Sequence, residues 1–327
     1  MSNNFNNKRL LYLLLVLVAI LVLTVIVKIP KERATLKSKL VDLDTSAVSK
    51  IILYPRVTPG KTVEFNRVKG KWTVQQDNII SATADGSVQN LLSEVLRIKP
   101  QSLASRDRSK WNEFDLSDSL ATRIKFLDRK GKVLTDLMIG KFTYKQPDNP
   151  YAGYSGNNIQ LTSFVRIYNE NEVYAVDGPL TFSFNLKFED WRDKTFLRSK
   201  RNDITNIRFI YTADSSFSLV KKANIWQIND LIADSATVAN YLASLDFLNG
   251  ESIKDNFKPD VSPLYQLKAE GNNLMSFSIR CYTGAGEDEF ILNSSQNPDV
   301  YFAGKRNGIF DKIFKSQKHF YKQVKKQ

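Results

Sequence analysis

The run from Leu10 to Val27, LLYLLLVLVAILVLTVIV, constrains this chain most. It has 18 residues without a charge, and Thr24 and the Tyr12 hydroxyl are its only polar side-chain groups. Wound as a helix it would measure about 27 Å, close to a hydrocarbon core of about 30 Å. Lys8 and Arg9 precede it, and Lys28 and Pro30 end it. A cleavable signal has an apolar core of only about 7–15 residues and a small-x-small cleavage site. Glu32 and Ala34 spoil the nearest such site, and no lipobox cysteine is present. The sequence therefore predicts a stub over 1–9, an uncleaved transmembrane anchor over 10–29 and a linker over 30–47. Positive charge flanks both sides of the span, so the charge count alone does not orient it. A nine-residue stub is easily retained in the cytoplasm, and a body rich in Asn, Ser, Thr and Tyr with one cysteine suits an extracytoplasmic place. The expectation is a single-pass protein of the cytoplasmic (inner) membrane with its body outside.

The formal charge of +13 would by itself suggest nucleic acid. Its distribution argues against that. Residues 1–39 carry Lys8, Arg9, Lys28, Lys31, Arg33, Lys37 and Lys39 against Glu32, and residues 312–327 carry six lysines and no acid. Each end is thus +6, and the body over 40–311 is left at +1. A nearly neutral body is not a phosphate-backbone surface, so no nucleic-acid partner is expected. One cysteine, Cys281, excludes an intramolecular disulfide and a cysteine-type metal cluster. One histidine, His319, excludes His-rich metal sites, and no cofactor is expected.

The body reads as two copies of one pattern. Lys50 to Tyr54 is strand-like, and Val63–Arg67 and Trp72–Gln76 alternate around Lys69-Gly70-Lys71 as a hairpin. Asp85 reads as an N-cap before Val88, Leu91, Leu92 and Val95 at helical spacing. The same order returns in Ile204–Tyr211, in Phe217–Val220 with Ile225–Ile228, and in Ala233-Asp234 before Val238, Tyr241, Leu242 and Leu245. Trp72 and Trp226 then fall at equivalent places. A second hairpin, Arg123–Leu127 with Asp136–Gly140, is answered by 266–270 and Leu274–Ile279. Val173–Val176 closes the first copy and Val300–Ala303 the second. The predicted fold is α+β: after the transmembrane helix come two duplicated, mainly antiparallel-sheet units, each with a packed helix, over 48–198 and 199–327.

These features resemble one bacterial family, domain-of-unknown-function family 4340, found in membrane-anchored proteins of gliding and related bacteria. Gly70-Lys71-Trp72, Ala84-Asp85, Phe114-Asp115-Leu116, Ile139-Gly140 and Val173-Tyr174 carry the likeness. It covers roughly residues 48–198 well, and the rest as a degenerate copy. The proline and glycine usual near the first helix and before the second hairpin are absent here, at Ile80 and Asp115. The resemblance implies an extracytoplasmic module, sometimes encoded beside export or gliding components, and it carries over no catalytic residue.

Chemistry-bearing motifs are sparse. Asp42-Leu43-Asp44 sits in the linker, and Gly284–Glu289 has glycines but no following lysine or helix pattern, so it reads as a hairpin tip. Asn293-Ser294-Ser295 is a formal glycosylation sequon, meaningful only in a eukaryotic secretory host. His319 lacks a neighbouring acid to orient it as a base, and Cys281 reads as a small core residue. Tyr144 to Tyr154, with Pro147, Pro150 and Tyr151, reads as a long exposed loop for a partner or ligand. Ile309, Phe310, Ile313, Phe314, Phe320, Tyr321 and Val324 predict an amphipathic helix over about 309–325. Its basic face, Lys312, Lys315, Lys318, Lys322, Lys325 and Lys326, is the candidate contact to a membrane surface. The functional expectation is a non-catalytic scaffold or accessory subunit of a bacterial envelope complex of transport or gliding type, with envelope proteins as partners. The alternative is an envelope polysaccharide- or peptidoglycan-binding protein or hydrolase, for which the 13 Tyr, 20 Phe and 4 Trp leave aromatic surface.

Overall fold

Strict alternation fixes the first strand: Ile51 and Leu53 are fully buried while Lys50, Ile52 and Tyr54 are half-buried. A period of two is what a half-buried strand requires. The computed structural model of the protein describes residues 12–20, 36–145, 160–212, 215–286 and 288–321. They divide between two units, Met1–Asp190 and Trp191–Gln327.

The first unit contains strands β1 (Lys50–Tyr54), β2 (Val63–Val68), β3 (Lys71–Gln76), β4 (Ile79–Ala82), β5 (Pro100–Ser105), β6 (Thr122–Leu127), β7 (Val133–Lys145), β8 (Gln160–Ile167) and β9 (Val173–Asp177). Helix α1 covers residues 12–20, α2 is Ser87–Arg97, α3 is Leu180–Phe184, and α4, Phe188–Trp191, lies at the unit boundary. All nine strands form one antiparallel sheet in the order β4-β3-β2-β1-β6-β7-β8-β9-β5. One face is lined register by register. Ile51 stands opposite Phe65 and Phe126, Leu53 opposite Val63 and Ile124, Ile124 opposite Leu137, and Ile139 opposite Val165. Each of these side chains is buried, and full burial of one branched or aromatic side chain stabilises by about 1.5–3 kcal/mol. Helix α2 buries Val88, Leu91, Leu92 and Val95 along one stripe.

The second unit contains β10 (Thr195–Arg198), β11 (Ile204–Tyr211), β12 (Phe217–Lys222), β13 (Ile225–Ile228), β14 (Leu231–Ile232), α5 (Ser235–Leu245), β15 (Phe247–Asn249), β16 (Tyr265–Gly271), β17 (Phe277–Thr283), β18 (Glu289–Ser294), β19 (Asn297–Lys305) and α6 (Ile309–Ile313). Its main sheet runs β14-β13-β12-β11-β16-β17-β18-β19, again antiparallel. These eight strands occupy the order of β4-β3-β2-β1-β6-β7-β8-β9, with a helix after the fourth strand in both units. The buried face also matches. Ile207 stands opposite Leu219 and Ala269, Phe209 opposite Phe217 and Leu267, Leu267 opposite Ile279, and Cys281 opposite Leu292. Trp72 on β3 and Trp226 on β13 lie on corresponding strands, both buried. The first hairpin turns match too. Lys69 and Gly70 have φ of 49° and 82°, Ala223 and Asn224 of 47° and 67°, the twist that a two-residue hairpin demands. The copies part at one strand: β5 pairs with β9, whereas β15 pairs with β10 in a separate two-stranded sheet.

The anchor expectation falls mostly outside the described residues, and several other expectations need correcting. Among the described residues no helix is long and apolar enough to cross a membrane. The described part of the Leu10–Val27 run is α1, whose side chains are exposed, and residues 1–11 and 21–35 lie outside the described residues. The end of the linker is docked rather than solvated: Leu40, Val41 and Leu43 are buried, Lys37 pairs with Glu170 at 2.6 Å, and Asp44 caps the Ser46 amide at 2.9 Å. Asp85 does not cap α2. Gly86, at φ 71°, takes the N-cap position and offers no side chain, whereas Asp234 caps α5 by accepting from the Thr237 amide at 2.8 Å. The C-terminal helix is one turn long. It stops at Ile313 because Phe314 is extended at φ −95°, ψ 109°, and a 3-10 turn over Gln317–Phe320 follows. Phe320 still reaches the core, but through a bend. Four successive helical turns would have been needed to keep the apolar stripe over 309–325 in line.

Candidate functional site

Two of the sequence motifs of the first unit, Phe114-Asp115-Leu116 and Ile139-Gly140, come together around one turn. A 3-10 segment, Arg108–Phe114, ends where Asp115 adopts a left-handed conformation (φ 55°). Leu116 then plunges into the core. Gly140 on β7 lies against this turn so closely that a Cβ there would collide with the Phe114 carbonyl oxygen and sit 2.9 Å from Leu116 Cγ. Phe114-Asp115-Leu116 and Ile139-Gly140 are thus one packing unit. Beside it opens a depression of 230 Å3 lined in part by Arg56, Asp115, Thr122, Gly140, Phe142 and Thr181. Arg56 Nη1 donates to Asp115 Oδ2 at 2.7 Å, and the Thr181 hydroxyl donates to the Gly140 carbonyl at 3.0 Å. The Phe142 and Phe182 ring centroids are 5.0 Å apart at its rim, with Phe182 exposed. The volume lies below the roughly 300–1,000 Å3 of drug-sized ligand sites. Arg56 and Asp115 neutralise each other and Lys141 is the remaining charge of the lining, so the depression offers a surface for a ring or a short side chain rather than an acid–base pair.

The turn is held from below by arginines that the sequence reading missed. Arg166 on β8 is 1% exposed, and its Nε donates to the Leu116 carbonyl at 3.0 Å. Its Nη1 donates to the Tyr168 carbonyl at 2.6 Å, and its Nη2 reaches Asp118 at 3.4 Å. Burial lowers the Arg166 pKa from its ordinary value, while Asp118 and Tyr168 oppose that change. Arg123 on β6 grips Asp136 of β7 with two bonds of 2.8 and 2.6 Å, and hydrogen bonding to that carboxylate raises its pKa. Cation and ring alternate through the cluster. Arg166 lies 3.6 Å from the Trp111 centroid, Arg123 lies 3.4 Å from Tyr168, and Arg108 covers the other approach to Trp111 at 4.9 Å. The signal in the sequence was there: Arg166 follows Phe164 by two in FVRIY, a cation at an alternating core position. Such a residue is buried only if fully hydrogen-bonded.

The other sequence candidates are scattered. Tyr144 is not in a loop; it lies in β7 opposite Leu161 and is exposed. Pro147, Pro150, Tyr151 and Tyr154 lie outside the described residues. Lys312 stands exposed on α6, Lys315 follows it half-buried, and Lys318 is exposed on the 3-10 turn, while Lys322, Lys325 and Lys326 lie outside the described residues. Cys281 is buried in β17, and burial pushes its thiol well above the usual range. Gly284–Glu289 joins β17 to β18, with Gly284 donating to the Glu289 carbonyl at 2.8 Å. Among the described residues no three His, Cys, Asp or Glu side chains gather as a metal site.

A family model described as "Domain of unknown function (DUF4340)" matches residues 72–270. The match starts at Trp72 in β3, ends at Glu270 in β16 and crosses the boundary between the two units. No curated protein and no solved structure matches the chain.

Proposed function

The chain belongs to the DUF4340 family of domains of unknown function, and from that premise we propose that it is a non-catalytic scaffold or accessory subunit of a bacterial envelope complex, anchored by residues 10–29 with its body outside the cytoplasmic membrane. The observation that carries this reading is the state of the two outermost strands. Strand β4 ends the first sheet and β14 ends the second, at corresponding places in the strand order. Ile80 on β4 is 64% exposed, and Leu231 and Ile232 on β14 are 60% and 67% exposed. An open edge with branched apolar side chains is the surface onto which an extended segment of a partner protein adds as a further strand. Natural edge strands that must stay unpaired are kept very short or carry lysine, proline or a bulge, and of these devices β4 and β14 show shortness alone. The occupant we infer is therefore an extended apolar segment of an envelope protein, one per unit. The duplication of one sheet pattern within the chain would supply two such edges from one gene.

The anchor part of the reading rests on the uncharged run Leu10–Val27 and its basic flanks. A second reading, binding of envelope polysaccharide, is favoured by Phe142, Tyr144 and the exposed Phe182 beside the depression of the first unit, since sugar rings stack on aromatic faces. A photo-crosslinker placed at Ile80 or Ile232 in intact membranes separates the two. The scaffold reading expects discrete protein adducts at both positions, abolished by Leu231→Lys for position 232, and a phosphatase fused after Gln327 should be active. An inactive phosphatase would remove the extracytoplasmic assignment. Absence of adducts at both edges, together with peptidoglycan-fragment binding lost in Phe182→Ala, would leave the polysaccharide reading.

A further inference from the structure

The second unit has a cavity of its own, independent of the scaffold reading. It measures 380 Å3 and is lined by Thr237, Asn240, Tyr241, Ser244, Lys312, Lys315 and His319. The first four occupy positions i, i+3, i+4 and i+7 of α5, a single stripe along the helix. The other three come from α6 and the bend behind it. That bend is clamped to the body. Tyr241 donates to the Ile313 carbonyl at 2.8 Å, Tyr211 donates to the Lys315 carbonyl at 2.7 Å, and the Asp234 amide donates to the Phe320 carbonyl at 2.8 Å. Burial pushes both phenols well above their ordinary range, so both stay protonated and keep donating. The backbone that presents Lys312, Lys315 and His319 is thus fixed before any ligand arrives.

The polar groups of this cavity are unequally occupied. The Thr237 hydroxyl is spent on Asp234 at 2.7 Å and the Ser244 hydroxyl on the Tyr241 carbonyl at 2.6 Å. Asp311 on α6 accepts from the Asn307 amide at 2.7 Å. No described carboxylate pairs with Lys312 or Lys315, and both line the same cavity. The geometry points to a binding site for a compact phosphate-ester anion, held by the ammonium groups of Lys312 and Lys315 and the amide of Asn240, with His319 closing one side. Two ammonium groups match the charge of a phosphate monoester, whereas a single carboxylate would leave one of them uncompensated. This differs from a diffuse basic face, in which Lys318 would count as much as Lys315. The His319 pKa lies below its ordinary value, through burial first and the Lys315 charge second. A bound phosphate reverses the second influence and draws a proton onto the ring.

His319 is the only histidine of the chain, so labelled histidine reports on this site alone. The full chain in a non-ionic, phosphate-free detergent is titrated by NMR in sodium chloride and in inorganic phosphate at matched ionic strength. Phosphate is expected to raise the His319 pKa saturably by about one unit, a roughly tenfold preference for the protonated ring. Lys315→Gln and Lys312→Gln should each weaken phosphate at least about tenfold, and Lys318→Gln should leave it unchanged. Lys315 serves the tyrosine clamp through its backbone, so the substitution leaves that clamp in place. Asn240→Asp provides a second check: it should raise the His319 pKa without phosphate and abolish the phosphate response. Two further arms use glycerol phosphate and micelles doped with phosphatidic acid, whose headgroup is a phosphate monoester. A Lys315-dependent response to both free phosphates assigns a small ligand, and one confined to phosphatidic acid assigns a lipid headgroup. An unmoved His319 titration in every arm overturns the site, as does a loss in Lys318→Gln equal to that in Lys315→Gln.

Discussion

The guanidinium carbon of Arg166 lies 3.6 Å from the centroid of the Trp111 ring, on a side chain that is 1% exposed. The same group donates to the carbonyls of Leu116 and Tyr168. Its value lies in those acceptors rather than in its ion pair, because Asp118 is 74% exposed and water competes for it. Arg166→Met should cost about 2–5 kcal/mol, since two inward-facing carbonyls lose their donor. Asp118→Asn should cost less than about 1 kcal/mol. Urea unfolding of both variants checks the contrast, and equal losses would contradict it.

Trp72 and Trp226 should respond alike to truncation. Each is buried on the third strand of its sheet pattern, so Trp→Ala should cost about 3–5 kcal/mol at either place. Differential scanning calorimetry would register the loss. A shift at one position and none at the other would deny the equivalence of the two strands.

Gly140→Ala should destabilise the first unit by about 1–3 kcal/mol, because the added carbon meets backbone that cannot rotate away. Gly286→Ala, where the nearest atom to the new carbon is a side-chain carbon 3.6 Å away, is the control and should be within about 0.5 kcal/mol of the parent. Thermal midpoints of the two variants decide it.

Stability should fall as pH drops through the histidine range. The folded pKa of His319 lies below 6.5, so the unfolded chain binds the proton first. The contribution is fully present above pH 6.5 and is lost as pH falls through the lower folded value. Carboxylates titrate further down. Denaturant midpoints between pH 7.5 and 5.5 should slope downward in the parent and flatten in His319→Gln.

Much of the sheet was legible because alternation leaves little choice. KIILY and RIKFL bury every second residue, and ITNIRFIY does so at Ile207 and Phe209, where a shift by one would put the polar set inside. The hairpin at Lys69-Gly70 was legible from the same alternation on both sides of a turn. The short edge strands β4 and β14 were not, since two to four residues with exposed apolar groups carry no period. Helix α2 was legible from its stripe, but its start was not, because Asp85 looks like a cap and Gly86 takes that place through backbone conformation alone. Ile309, Phe310, Ile313, Phe314 and Phe320 were correctly read as buried, while the helical spacing of the C-terminal apolar residues concealed a bend at Phe314. Of the candidate sites, the motif residues Asp115 and Gly140 could be named but not joined, since their contact spans two elements. Arg166 and Arg123 were missed because a buried cation is defined by its partners, and these are backbone carbonyls and a carboxylate from other strands.

The different fates of β5 and β15 set an order of events during folding. Strands β6 to β9 form a meander in which each strand pairs with the next one in sequence, and such local pairing forms early. Strand β5 precedes all of them in the chain, yet Pro100 pairs with Val176 on β9, so its place does not exist until the meander is complete. In the second unit the outer edge of β19 is instead met by a few residues of coil, with Ala303 donating to Ser252 and Lys254 donating to Tyr301 at 2.8 Å each. Closing the large loop to β5 should therefore be the slow step of the first unit, with no strand-length counterpart in the second. Pulse-labelled hydrogen exchange would show the β5–β9 amides gaining protection last; protection there before the β6–β7 amides would reverse that order.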